Sequence, residues 1–179
     1  MTGTIIRARS GDPEAFESLV RAYEDVVRRT VWRMCYRPDL TQDITQEVFL
    51  QVWKRLPQLR EPEAFLSWLY KVTYSVATRF LSRESSQQTA MPEERLPREQ
   101  GPEESLVSRE GIKTIRDELA RMDARYRVAL GLYLEGLSYD EIARVMGVPA
   151  RTVETRLRRA RRGLQERLAA RERSEQDAR

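Results

Sequence analysis

Apolar residues recur at three- and four-residue spacing on both sides of a single interruption, and the alternation of a half-buried strand is missing. That periodicity confines the chain to an all-α fold. In "PEAFESLVRAYEDVVRRTVWRMC" one stripe holds Phe16, Leu19, Val20, Tyr23, Val27, Val31 and Met34. "DITQEVFLQVWKRL" follows, with Asp43 placed to cap it and Pro57 just past its end. "EPEAFLSWLYKVTYSVATRFL" then sets Phe65, Trp68, Leu69, Val72, Val76 and Phe80 on one face.

The interruption is "RESSQQTAMPEERLPREQGPEESLV", residues 83–107, where Pro, Glu, Gln and Ser dominate and no apolar period survives. Glu84, Glu93, Glu94, Glu99, Glu103 and Glu104 stand there against Arg83, Arg95 and Arg98. It reads as a flexible acidic linker. The expected organisation is two small helical domains, residues 1–82 and 108–179, joined by this linker.

The second domain opens with a helix pair, "EGIKTIRDELARM" and "DARYRVALGLYLEG", expected to turn Ile112, Ile115, Leu119, Val128 and Leu132 inward. In "LSYDEIARVMGVPARTVETRLRRARRGLQERL", Ser138 and Glu141 make a capping box that fixes a helix start. Ile142, Ala143 and Met146 give that helix its buried face, Gly147 ends it, and Pro149 sits where the next begins. A short helix, a Gly turn and a longer basic helix make the pattern of a helix-turn-helix. On the last helix Val153, Leu157, Ala160, Leu164 and Leu168 line one stripe. Arg151, Arg156, Arg158, Arg159, Arg161, Arg162 and Arg167 fall outside it. Arginine grips phosphate and reads guanine edges, so a helix entering the major groove of DNA is the economical account. A solvated amphipathic helix, or one bound to an acidic protein or membrane surface, is the plainer alternative.

Other chemistry finds few residues to work with. The chain has no histidine, one cysteine and eight glycines, which leaves no His-based acid–base catalysis, no His- or Cys-rich metal site and no Gly-rich phosphate loop. Its carboxylates are spread along helical patterns as solvated faces. The expectation is a protein that is not an enzyme and holds no cofactor or metal. Cys35 has no internal disulfide partner, no apolar run is long enough to span a bilayer, and the N-terminus lacks a signal-peptide core. A cytoplasmic location without membrane insertion is therefore expected. Cys35 reads as a core residue rather than a redox sensor. The net charge is only +4 although charged residues make up 34% of the chain, so the local basic cluster is what points to a polyanionic partner.

Two blocks of the chain resemble one family, the extracytoplasmic-function (ECF, group IV) sigma factors of bacterial RNA polymerase. "DITQEVFLQVWKRL" with "FLSWLYKVTYSVA" looks like sigma region 2, and "LSYDEIARVMGVPARTVETRLRRARRGLQERL" looks like sigma region 4. Their order, the acidic segment between them and the lack of a region 3 also fit. The resemblance implies a subunit that binds core RNA polymerase, directs initiation at promoters with −10 and −35 elements, and leaves bond making to the polymerase. It implies residue roles too. The helix of "DITQEVFLQVW" would dock on the β′ clamp helices through Asp43, Gln46, Glu47 and Gln51, with Val48, Phe49, Val52 and Trp53 in the core. The loop "LPQLREPEAF", with Arg60 and Glu61, matches the loop that holds a flipped −10 base in the family. Trp68, Tyr70, Lys71 and Ser75 on the next helix would meet the melted strand. Arg151, Thr152, Glu154, Thr155, Arg156, Arg158 and Arg159 would contact the −35 duplex, with Arg159 foremost. The same domain would seat on the β flap. An anti-sigma factor is implied as a restraining partner, and a small-molecule substrate is not.

The chain also departs from the family pattern. Ser75 and Arg79 stand where many relatives carry the Asn and Asp of "RNxAxD"; Gln42 stands where an acid is common, and Glu154 where a Lys or Arg is frequent. Thr41 and Thr45, beside the thinned acidic patch, are candidate phosphorylation positions. The linker, besides being a tether, is a candidate to enter the polymerase cleft by imitating nucleic acid. Two further function classes stay open: a free-standing helix-turn-helix regulator with residues 1–82 as sensor or dimerisation domain, and an adaptor whose arginine helix binds an acidic partner.

Overall fold

The computed structural model describes residues 1–87 and 106–177, and all regular structure among them is helical. Helix α1 (Thr2–Arg9) leads into α2 (Pro13–Cys35), which starts where Asp12 Oδ1 accepts the amides of Glu14 and Ala15 at 3.0 and 3.1 Å. Tyr36 ends α2 in the left-handed conformation, with φ 54°, and Pro38 opens α3 (Pro38–Arg55). Asp43, expected as a cap, lies instead in the second turn of α3 and stays exposed, because Pro38 has already set the helical φ upstream. Two short 3₁₀ turns, Leu56–Gln58 and Pro62–Ala64, each carrying a proline, bring the chain round to α4 (Phe65–Gln87).

The stripes meet as their periodicity requires. Leu19, Val27, Val31 and Met34 of α2 are buried with Ile44, Val48 and Val52 of α3 and with Phe65, Leu69, Val72 and Val76 of α4. Aromatic rings close the margins of this core. Phe16 meets Trp53 edge-on at 4.7 Å, and Tyr23 meets Phe65 at 5.1 Å. Trp53, expected inside, is 38% exposed because its ring lies against Phe16 at the rim instead of entering the core. Thr41 and Thr45 are buried, and their hydroxyls donate to the carbonyls of Arg37 and Thr41 at 2.6 and 2.7 Å. Neither is open to a kinase in this fold. Cys35 is a core residue, its thiol against Thr41 Oγ1 at 3.4 Å and its pKa pushed up by burial.

The C-terminal unit consists of α5 (Leu106–Ala120), α6 (Ala124–Leu134), α7 (Tyr139–Met146) and α8 (Ala150–Asp177). Leu119, Val128, Leu132, Ile142, Met146, Val153, Leu157 and Ala160 are buried together. Ile115, expected inward, is 41% exposed, while Leu119 one turn later is buried. The surroundings of Ile112 lie outside the described residues, as does the acidic segment from 88 to 105 with its proposed imitation of nucleic acid. The capping box forms in both directions: Glu141 N donates to Ser138 Oγ at 3.3 Å, and Ser138 N donates to Glu141 Oε2 at 2.8 Å. Gly147 then takes φ 66°, and its amide and that of Val148 both turn back onto Ala143 O. Across the molecule, α2 packs on α6 and α4 packs on α7.

Candidate nucleic-acid interface

Successive helix residues turn by about 100°, which puts Asp43, Gln46, Glu47 and Gln51 on one side of α3. Asp43 and Gln46 are exposed, while Glu47 is half-buried, accepting from Gln51 Nε2 at 2.8 Å and facing Arg79 of α4 at 3.9 Å. Arg79, placed where relatives carry an acid, thus supplies Glu47 with a counter-charge. Leu50 stands amid this polar face, 54% exposed. The sequence pattern does not single it out, although its place seven residues after Asp43 puts it on that side. An apolar centre with a polar rim is the make-up of a protein-docking surface.

Arg60 and Glu61 project between the two 3₁₀ turns, with Leu59 buried beneath them. Arg9 of α1 holds this loop from behind, its Nη1 donating to the carbonyls of Leu59 and Arg60 at 3.1 and 3.2 Å. No local signal in the sequence marks Arg9, because its partners lie fifty residues away. On α4, Trp68, Lys71 and Ser75 share one face: Lys71 and Ser75 are exposed, and Trp68 is half-buried with its ring 6.0 Å from Phe65. Tyr70 does not join them. It is only 9% exposed, and burial pushes its phenol pKa up, helped by Glu135 of the C-terminal unit.

On α8 the stripe of Val153, Leu157 and Ala160 is buried against its neighbours. Away from it stand Arg151, Glu154, Arg158 and Arg159, exposed, with Thr152, Thr155 and Arg156 half-buried. Thr155 Oγ1 donates to Arg151 O at 2.9 Å. Arg159 Nη1 donates to the hydroxyl of Tyr126 at 3.1 Å, a partner that α6 supplies. The later arginines are exposed, and each meets a side-chain partner. Arg161 lies over the Tyr133 ring at 5.0 Å, Arg162 pairs with Glu166 at 2.6 Å, and Arg167 reaches Glu118 at 3.8 Å. They are thus as exposed as the leading ones, and what sets them apart is that each already has a side-chain partner. In a helix-turn-helix, the start of the second helix is the part that reaches base edges. Among the described residues no His, Cys, Asp and Glu cluster could hold a metal ion, and no helix is long and apolar enough to cross a membrane.

Comparison with known proteins places these surfaces in a family. The sigma-70 region 2 family model matches residues 19–87, and the sigma-70 region 4 model matches residues 112–164. The chain is 30% identical over 167 residues to the ECF RNA polymerase sigma-E factor of Haemophilus influenzae, a match covering 87% of this chain and 88% of that protein. This chain belongs to the ECF sigma factors. It is also 32% identical over 167 residues to the sigma-E factor of Escherichia coli K12, covering 87% of each. Among solved structures, this sigma factor shares its fold with CnrH, determined in complex with the cytosolic domain of CnrY: the TM-score is 0.68 at 23% identity, over 94% of this chain and 97% of that one. A sigma factor binds core RNA polymerase and promoter DNA to start transcription. That sets aside the free-standing regulator and the adaptor. The matched regions fall on the two packed units, so the polar face of α3, the loop before α4 and the outer flank of α8 all belong to this one sigma factor.

Proposed function

We propose that this sigma factor divides its work among three surfaces. The face of α3 around Leu50, with Asp43, Gln46, Glu47 and Gln51, seats on the β′ clamp helices of the polymerase. The loop bearing Arg60 and Glu61, together with Trp68, Lys71 and Ser75 of α4, takes the unpaired −10 strand. Bases out of the stack expose π-faces and phosphates, which an indole and an ammonium on one helix face can meet. On α8, Arg151, Thr152, Glu154, Thr155, Arg156, Arg158 and Arg159 read the −35 element as duplex, and the same unit seats on the β flap. The helices α1–α4 and α5–α8 make the two working domains, so the expected bounds of 82 and 108 move outward to the helix ends at Gln87 and Leu106, and the segment between them is the tether. The polymerase makes the bonds, and this chain acts in the cytoplasm without catalysis of its own.

The observation that carries this reading is the pairing, on one chain, of two exposed faces in the region 2 unit with a helix-turn-helix whose leading arginines stand clear of its core. An anti-sigma factor belongs to the proposal as the restraining partner. RpoE of Bartonella quintana, similar in fold with a TM-score of 0.67 at 21% identity, over 86% of this chain and 96% of that one, was solved with the anti-sigma factor NepR. Size-exclusion chromatography with bacterial core polymerase lacking any sigma factor tests the docking face. The chain should co-elute at equimolar ratio, and Asp43→Arg should not. Co-elution undiminished in the folded variant would move the docking surface off α3.

A further inference from the structure

Helix α1 lies ahead of residues 19–87, the part matched by the region 2 model, yet it is built onto the loop of Arg60 and Glu61. Ile5 and Ala8 are buried, and the helix packs on α2 and on both 3₁₀ turns. Arg7 ties its end to Asp12, with Nε 2.8 Å and Nη2 2.6 Å from Oδ2, while Oδ1 of the same carboxylate caps α2. Arg9 therefore stands on a fixed support. The loop it faces has few bonds of its own. Leu59 N donates to Leu56 O and Ala64 N to Glu61 O, each at 3.0 Å, which closes the two turns. Between the turns Leu59 and Glu61 have extended backbone, with ψ 112° and 108°. Among the described residues no strand lies alongside to pair it, and no donor but Arg9 Nη1 meets the carbonyls of Leu59 and Arg60, at 3.1 and 3.2 Å.

A loop that closes on an unpaired base is ordered either beforehand or during binding, and ordering it during binding subtracts from affinity. We propose that Arg9 is a positioning residue for base recognition: from behind the loop it pre-organises the backbone of Leu59 and Arg60, so that the exposed side chains of Arg60 and Glu61 are in place when the base arrives. The inference rests on the assignment of this loop to the −10 element. Arg9 does not itself meet the strand. Its side chain is half-buried and its Nη1 is taken up by the two carbonyls. Its effect therefore falls on selectivity for the held base rather than on attraction of phosphate, which is sequence-independent and salt-dependent.

The test uses holoenzyme made from the full chain and bacterial core polymerase. A promoter duplex that the wild type selects from a random pool supplies the −10 sequence, and single strands of it carry an abasic site at each position in turn. The wild type should lose most affinity at the position whose base the loop holds. Arg9→Met keeps an apolar stem but offers the two carbonyls no donor. It should bind the intact strand about tenfold more weakly and the abasic strand equally well, so the penalty at that position shrinks about tenfold. The salt dependence of binding should be unchanged, because no phosphate contact is lost, as should co-elution with core polymerase and helicity by circular dichroism. Arg9→Lys, which restores a donor, should recover most of the penalty. Equal weakening on intact and abasic strands, with a shallower salt dependence, would overturn the proposal by making Arg9 a phosphate contact. Glu61→Ala separates the remaining failures. A penalty that Glu61→Ala abolishes and Arg9→Met leaves whole sinks the role of Arg9 alone, whereas a penalty that neither variant moves sinks the loop assignment and this inference with it.

Discussion

Gly147 carries the turn of the helix-turn-helix at φ 66°, and no heavy atom stands within 4 Å of where its Cβ would be. The cost of a side chain there is therefore conformational alone. Gly147→Ala should lower the stability of the region 4 unit by about 1 kcal/mol, seen as a lower thermal midpoint with core-polymerase binding by the region 2 unit retained. Glu141, two turns earlier in the motif, answers to pH. The hydroxyl and backbone amide of Ser138 hold its carboxyl below the ordinary 4.5. A group depressed in the folded state contributes stability that is present above its unfolded pKa and is lost as pH falls through the folded one. Glu141→Gln keeps the cap geometry but removes the titration, so below pH 4.5 the wild-type midpoint should fall more steeply than that of the variant. A matching fall in the two proteins would mean that other carboxylates govern the acid limb. Both residues are legible in the sequence because their signals are settled within a few positions: a glycine closing a periodic run, and Ser138 three residues before Glu141. Asp43 is misleading for a related reason. A good capping residue does not start a helix when Pro38, five positions earlier, has already done so.

At the scale of an element, α8 shows where periodicity stops informing. Its apolar stripe is legible because Val153, Leu157 and Ala160 repeat at helical spacing, and these are the residues the structure buries. Which arginines are engaged is legible only for Arg162, whose partner Glu166 lies four residues on; Tyr126, Tyr133 and Glu118, the partners of Arg159, Arg161 and Arg167, come from α5 and α6. That engagement changes the expected ranking within the recognition helix. Arg158 is exposed, whereas Arg159 already donates to Tyr126 and must give up that hydrogen bond before it can reach a base. A good major-groove contact discriminates by about 1–3 kcal/mol, and a surrendered hydrogen bond returns about 1 kcal/mol of it. Arg158→Ala should therefore weaken holoenzyme binding to a −35 duplex drawn from a random pool more than Arg159→Ala does, with co-elution on core polymerase intact in both. The opposite order would mean that Tyr126 aims Arg159 at the groove instead of holding it back. The same limit explains α4, where the family resemblance groups Tyr70 with Trp68, Lys71 and Ser75 but cannot foresee that Tyr70 is buried on the side that meets the other unit.

For the whole molecule, the packing of the two units is the part least written in the sequence. Its contacts join positions about a hundred residues apart, Arg33 with Glu135 and Arg127 with Met34, and charges at such positions read as ordinary solvated faces until a partner surface is known. Arg127 is the informative case because it serves both units. Its Nε bonds Met34 O of α2, while its Nη1 bonds Ala120 O and, at 3.3 Å, Met122 O within the turn that joins α5 to α6. Burial works against its charge, and no carboxylate hydrogen-bonds it among the described residues; backbone carbonyls alone hold it. Arg127→Met keeps most of the volume and removes the buried charge, but leaves three carbonyls without their donor. Hydrogen bonds from a charged group are worth about 1.5–3 kcal/mol, and relief of the buried charge offsets part of that loss. A net destabilisation of about 1–2 kcal/mol follows, and it should fall on the region 4 unit, which loses two of the three bonds. The coupling between units should fail at the same time. Differential scanning calorimetry of the wild type should show one cooperative transition, because a docked interface makes the units melt together. Arg127→Met should show two, the lower one belonging to α5–α8. A single transition merely shifted downward in the variant would mean that Glu135, through Arg29 and Arg33, couples the units without help from Arg127.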